Sequence, residues 1–272
     1  MTVAAPTGIE RIAQAFARAR EERRLAIIVG LTVGYPDRAS TAGLLRATLD
    51  GGADLVELCV PFSDPLADGA TVQRASEVAL AGGTNLRDCL AEARRLVAER
   101  DAPVVFMGYL NPFLRHGLVE FAREAASAGA AGVIVPDLPA EESAEFDAAL
   151  EPYGLARIDL YAPTTPNDRL ARLAPSSRGF VYCVSLTGVT GARAAVAGDV
   201  GAFVARVRVH TALPIAVGFG ISRPDQVASL RDVADGVIVA SAAIDVVTNA
   251  PPGDREHALR DFVASLVAAG RR

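Results

Sequence analysis

Two carboxylates pose the chemical question. Glu57 lies in the short apolar run Ala53-Asp-Leu-Val-Glu-Leu-Cys-Val60, and Asp68 follows eleven residues later in Pro61-Phe-Ser-Asp-Pro-Leu-Ala-Asp-Gly69. Strand side chains alternate faces, so Leu55, Glu57 and Cys59 share one. If that face looks into a barrel, Glu57 is a carboxyl among apolar neighbours. Burial disfavours the charged form and raises such a pKa. The group can then give a proton near neutral pH and take one back. Asp68 sits instead on a loop stiffened by Pro61 and Pro65 and ended by Gly69. Two acids in unlike settings suit acid/base work. From spacing alone, a turn aspartate beside a tolerated polar core residue is an equal reading.

A second group of residues suits an anion. Gly218-Phe-Gly220 ends an apolar run, and Ser222-Arg-Pro-Asp225 is expected to cap the helix after it. A later run ends at Val239-Ala240-Ser241, where another helix can begin. Glycines let backbone N–H groups approach a phosphate, and helix N-termini supply unpaired donors. Arg223 is close by in sequence, and plain surface is an equal reading for it. Tyr182 shares a strand face with Phe180 and Val184. Met107 with Tyr109, Ile134 with Pro136, and Phe219 are expected to form an apolar slot for a flat ring. Taken singly, each of these fits core packing better.

These residues need a frame to bring them together. Apolar runs near 25–33, 53–60, 103–109, 131–136, 154–161, 179–185, 213–217 and 234–239 read as strands. Helical patterns separate them at about 38–50, 71–98, 112–128, 140–151, 166–173, 199–210 and 222–231, with a last one at 254–268. Continuous apolar runs suit parallel strands covered on both faces. Eight βα units predict an α/β fold, a single-domain (β/α)8 barrel over 1–272, with its site at the C-terminal ends of the strands. Phosphate bound by the loops after strands seven and eight recurs in such barrels. An extra N-terminal helix at about 8–23 opens with a capping box at Thr7-Gly-Ile-Glu10. Extra helices are expected after strands two and eight. Ala81-Gly-Gly-Thr84 breaks the long stretch at 71–98, and Thr84 is placed to cap its second helix.

Composition removes several classes. The formal net charge is -5 and no long basic run occurs, which argues against nucleic acid as a partner. No apolar stretch is long enough to span a bilayer, and Met1-Thr-Val-Ala-Ala-Pro lacks the pattern of a signal peptide. Cys59, Cys89 and Cys183 are odd in number and scattered, as expected of a reducing cytoplasm. His116, His210 and His257 are scattered too, so no metal site is predicted.

The stretch from Pro61 to Gly69 resembles the signature of the tryptophan synthase alpha chain family. Other pieces fit in the same order: Val33-Gly-Tyr-Pro-Asp37, Gly108-Tyr-Leu-Asn-Pro112, Val135-Pro-Asp-Leu-Pro-Ala-Glu-Glu142, Ala162-Pro-Thr-Thr165, Ser185-Leu-Thr-Gly-Val-Thr-Gly191 and Gly218-Phe-Gly-Ile-Ser222. The resemblance implies a lyase that splits indole-3-glycerol phosphate into indole and glyceraldehyde 3-phosphate. It gives Asp68 the indole N–H, Glu57 the proton transfers and Tyr182 a place near the scissile bond. It puts Gly191, Gly220, Ala240 and Ser241 on the phosphate. It makes residues 187–198 a lid whose Thr190 reaches toward Asp68. It implies no cofactor on this chain, pyridoxal phosphate belonging to the beta chain, and a beta chain partner in an α2β2 assembly. The partner's surface is expected at 61–65, 111–112 and 136–139, with Phe62 and Leu138 exposed.

Two positions depart from the family. It commonly has an aromatic where this chain has Gly30, which leaves a wall of the ring pocket open, and a glycine where this chain has Ala240. Asp159 faces the helix layer and needs a partner there. Three other readings stay open: a stand-alone indole-releasing lyase, another phosphate-binding barrel such as a sugar-phosphate isomerase, and a catalytically weak activator subunit.

Overall fold

The computed structural model of the chain describes residues 5–184, 193–218 and 220–272. Among these residues eight parallel strands close a barrel in sequence order, β8 pairing back onto β1. The strands are β1 (Ala26–Thr32), β2 (Leu55–Cys59), β3 (Val104–Met107), β4 (Ala130–Ile134), β5 (Ala156–Tyr161), β6 (Val181–Val184), β7 (Ile215–Gly218) and β8 (Gly236–Val239). Each falls within two residues of an apolar run read from the sequence, apart from slightly trimmed ends. Alternation divides their side chains between two cores. Ile28, Leu55, Val105, Ile134, Ile158, Phe180 and Ile238 fill the barrel. Ile27, Val29, Val56, Leu58, Phe106, Val133, Val181 and Val237 pack outward under the helices.

The helices are α1 (Gly8–Glu21), α2 (Thr41–Asp50), α3 (Ala70–Ala81), α4 (Leu86–Glu99), α5 (Leu110–His116), α6 (Leu118–Ser127), α7 (Ala144–Leu150), α8 (Asn167–Leu173), α9 (Arg193–Arg208), α10 (Pro224–Ser229), α11 (Ser241–Asn249) and α12 (Arg255–Ala269). The extra elements stand where expected: α1 before the barrel, a second helix after β2 and another after β8. The capping box of α1 forms, Thr7 N–H donating to Glu10 Oε2 at 2.7 Å and Glu10 N–H to Thr7 Oγ1 at 3.3 Å. Ile12, Ala15, Phe16 and Ala19 of α1 join the barrel-filling cluster, and Phe16 meets Phe180 with ring centroids 5.6 Å apart. Gly8 lies so close to the Ala131 carbonyl that a Cβ would collide with it. This helix therefore closes the N-terminal end of the barrel.

Four local expectations are corrected. The helix expected over 112–128 is two, because Gly117 takes φ +94, a conformation that breaks a helix and suits glycine. The cap of α4 is Asn85, which forms a capping box with Asp88, and not Thr84. Thr84 is buried beside Gly34, with its hydroxyl unpartnered among the described residues. Ahead of α10, the carboxamide of Gln226 takes the N–H groups of Ser222 (2.8 Å) and Arg223 (3.0 Å), the role expected of Ser222 and Asp225. Helix α9 starts at Arg193, six residues before the helix expected at 199–210.

Asp159 does face the helix layer, and it has partners. It pairs with Arg157 and accepts from Ser177 Oγ at 2.6 Å. Arg157 also donates to Asp147 of α7 at 2.6 Å, and Tyr161 Oη lies 3.2 Å from Ser177 Oγ. Buried charges need this kind of pairing. The network ties β5 to α7 and to the turn before β6, away from the barrel interior.

Candidate active site

The C-terminal end of the barrel opens into a cavity of about 480 Å³. Strand alternation aims Glu57 inward between Leu55 and Cys59, and the residue is 3% exposed. Burial raises its carboxyl to about 7; a thiol contact from Cys59 lowers it somewhat and the Asp68 charge raises it. That value allows both protonation states near neutral pH, as the sequence suggested. Oε2 of Glu57 is buried with no hydrogen-bond partner among the described residues.

Asp68 reaches the same cavity from the loop after β2. Tyr109, which follows β3, donates its hydroxyl to Asp68 Oδ2 at 3.1 Å and accepts the N–H of Ala67 at 2.9 Å. Gln73 of α3 donates to the Asp68 carbonyl at 2.9 Å. The ring of Tyr109 stacks on Phe62 at 5.1 Å. The loop is thus held from within the chain. Burial raises the pKa of Asp68, and the Tyr109 hydrogen bond opposes that by favouring the carboxylate.

Tyr182 enters from β6, buried, and packs on Gly218, where any Cβ would collide with its ring. Room for Tyr182 is therefore one reason for glycine at this position. Burial first, then the charges of Glu57 and its neighbours, push the phenol well above its ordinary value, so it stays neutral. Across the cavity, Ala240 is the N-cap of α11, whose first turn presents Ser241 and Ala242. Gly220 needs its glycine, at φ +82. Arg223 pairs with Asp225 at 2.9 Å and does not line the cavity, so plain surface is the better reading of it. Among the described residues none that lines the cavity is basic.

Eight of the residues singled out from sequence meet at this cavity: Glu57, Asp68, Met107, Tyr109, Tyr182, Gly220, Ala240 and Ser241. Ile134 lies deeper in the barrel core and Pro136 is half-buried; neither lines the cavity. Thr190, Gly191 and Phe219 lie outside the described residues. Cys59, Val184 and Ser222, which the sequence placed beside Glu57, Tyr182 and Gly220 without giving them a role in the site, also line it, and Asp245, which sequence reading missed, does too. The signal for Cys59 and Val184 was present, since each is two residues beyond a chosen strand residue. Phe62 is half-buried under Tyr109 and Leu138 is half-buried against the core; the exposed apolar side chain at the rim is Leu66, at 93%. The open wall expected at Gly30 is occupied by the Ala240 methyl group. Among the described residues no cluster of three or more His, Cys, Asp or Glu could hold a metal ion, and no helix is long and apolar enough to cross a membrane.

The arrangement has close parallels. A family model described as tryptophan synthase alpha chain matches residues 16–268. A tryptophan synthase alpha chain of Roseiflexus castenholzii is 52% identical over 260 residues, covering 95% of this chain and 99% of its own. One from Geobacter sulfurreducens is 45% identical, covering 95% and 98%. Among solved structures, a chain of Mycobacterium tuberculosis tryptophan synthase superposes with a TM-score of 0.88 at 39% identity, over 96% of this chain and 98% of that one. The tryptophan synthase subunit alpha of Legionella pneumophila gives 0.89 at 33%, over 97% and 98%. A barrel of this topology, a match over nearly all of its length and identities of this size lead to one conclusion: the chain belongs to the tryptophan synthase alpha chain family.

Proposed function

We propose that this chain is a carbon–carbon lyase that splits indole-3-glycerol phosphate into indole and glyceraldehyde 3-phosphate, as the alpha subunit of a tryptophan synthase. The observation that carries this reading is the buried carboxyl of Glu57, facing one cavity together with Asp68 and the start of α11. The ring C3 of the substrate must be protonated before its bond to the glycerol chain can break. Glu57, protonated, gives that proton. Asp68, charged, holds the ring N–H and offsets the positive charge that develops on the ring. The C–C bond then breaks, its electron pair returning to the ring. The adjacent glycerol hydroxyl becomes the aldehyde and passes its proton to Glu57, which ends as it began. General acid–base groups near neutral pKa suit both transfers.

Neutral Tyr182 is positioned to donate toward the breaking end. Among the described residues no basic side chain lines the cavity; the phosphate is met by Ser241 and the N–H groups of the first turn of α11, with Gly220 beside them. The chain contains no lysine, so no step passes through a lysine imine. The substrate is small and organic, and the reaction requires no cofactor of this chain.

We assign the beta chain as partner, in an α2β2 assembly of the cytoplasm, with Leu66 at the mouth of the cavity as part of its docking surface. Indole release from indole-3-glycerol phosphate, measured with and without a beta chain and paired with light scattering, tests both parts. Slow release alone and faster release in a complex is the expected result. No release under either condition overturns the reaction. Full activity alone with no complex overturns the partnership and leaves a stand-alone lyase.

A further inference from the structure

The two oxygens of Glu57 have unlike surroundings. Oε1 lies 3.6 Å from the thiol of Cys59, which is its donor, and 3.0 Å from where a Cβ on Gly30 would stand. Oε2 has no partner among the described residues, although it is buried. Cys59 is two residues further along β2, on the same inward face, 6% exposed and lining the cavity. Its thiol is not oxidised to a disulfide.

We propose that Cys59 is a positioning residue for Glu57: its S–H engages Oε1, fixes the rotation of the carboxyl and leaves Oε2 to exchange the proton with the substrate. This rests on the reaction proposed above. The choice of sulfur has a physical reason. A thiol is a weak donor, so it orients the carboxylate while stabilising its charge only slightly. A hydroxyl would hold the charged form more firmly and draw the group toward the ordinary carboxylate range. A hydrocarbon would do neither. Burial and the nearby acids keep the thiol itself protonated, and so a donor. The other titratable groups facing Glu57 are Asp68 from the loop after β2 and Tyr182 from β6. The neighbouring strands present Gly30, Met107 and Ile238, which do not titrate.

The test compares Cys59→Ala and Cys59→Ser in the full chain. The Glu57 carboxyl is titrated by infrared difference spectroscopy, its band identified by its loss in Glu57→Gln, and kcat and KM for indole-3-glycerol phosphate are followed against pH. Cys59→Ala is expected to move the ionisation of Glu57 upward by roughly half a pH unit to one unit, the loss of one weak donor to a charged acceptor. It should lower kcat with KM unchanged. Cys59→Ser keeps a donor and should titrate at or below the wild type. An ionisation in Cys59→Ala at or below that of the wild type overturns the proposal, as does an upward shift in Cys59→Ser equal to that in Cys59→Ala. The infrared titration needs no turnover. Wild-type chain that releases no indole while the expected order of ionisations holds would refute the reaction and support the hydrogen bond.

Discussion

The Cβ of Ala240 stands where a side chain on Gly30 would go. A Cβ built on Gly30 comes within 2.9 Å of it and within 3.0 Å of Glu57 Oε1. β1 and β8 are paired neighbours, so space given up by one is filled from the other. Gly30 and Ala240 therefore share one space. Gly30→Ala should crowd the Glu57 carboxyl and lower kcat/KM by about tenfold, corresponding to the lower range of overpacking energies. Ala240→Gly alone should cost less, and the double variant should recover part of the loss. Residues in contact couple by about 0.5–3 kcal/mol, so purely additive effects on kcat/KM across the four proteins would refute this coupling.

Glu57 makes stability depend on pH in a definite sense. Its ordinary value is 4.5 and burial raises it to about 7. Between those values the folded chain holds a proton that the unfolded chain releases, so stability falls as pH rises through the window. The penalty is complete above about 7 and amounts to at most about 3 kcal/mol. Glu57→Gln, neutral throughout, should be more stable than wild type at pH 8 and show little difference near pH 4.5. Denaturant melts at the two values check this; a constant difference would contradict it. The same variant should lose about 10²–10⁴-fold in kcat.

Tyr109 serves Asp68 as well as the pocket wall. Tyr109→Phe keeps the stacking on Phe62 but loses the hydroxyl that takes the Ala67 N–H and donates to Asp68. That hydrogen bond lowers the Asp68 pKa. Without it the acid limb of the kcat/KM profile should move to higher pH, with a loss of about 1 kcal/mol in stability. An unmoved acid limb would assign Tyr109 to packing alone.

Arg157 carries no chemistry in the proposed reaction and should matter greatly for folding. Arg157→Ala leaves the buried Asp159 without its cation, a change that costs about 3–5 kcal/mol. Thermal unfolding should shift strongly, while the folded fraction keeps its kcat. A small shift in the melting temperature would show that Ser177 alone satisfies Asp159.

The barrel was legible because each strand is a short apolar run and each crossover has a helical pattern. Glu57 was legible for the same reason: alternation alone aims it inward with Cys59. What escaped were contacts made across the chain. The bond from Tyr109 to Asp68 joins residues 41 apart, and nothing local announces it. Phe62 looked like an exposed rim side chain because its cover, Tyr109, comes from the segment after β3. Asp159 looked orphaned because Ser177 approaches from the turn before β6. The caps at Asn85 and Gln226 each fall one residue beyond the residue first favoured, a choice between adjacent polar groups that spacing does not decide.

Helix α1 gives the cavity a blind end. With Ile12 and Phe16 packed into the barrel floor, matter moves through the molecule as in a cul-de-sac. In the proposed reaction, substrate arrives and both fragments depart by way of the opposite end, where Leu66 stands exposed. Traffic at that mouth is then a single queue. Whatever settles on the rim stands beside the road out, and it can govern the departure of a fragment as directly as it governs the setting of the two acids.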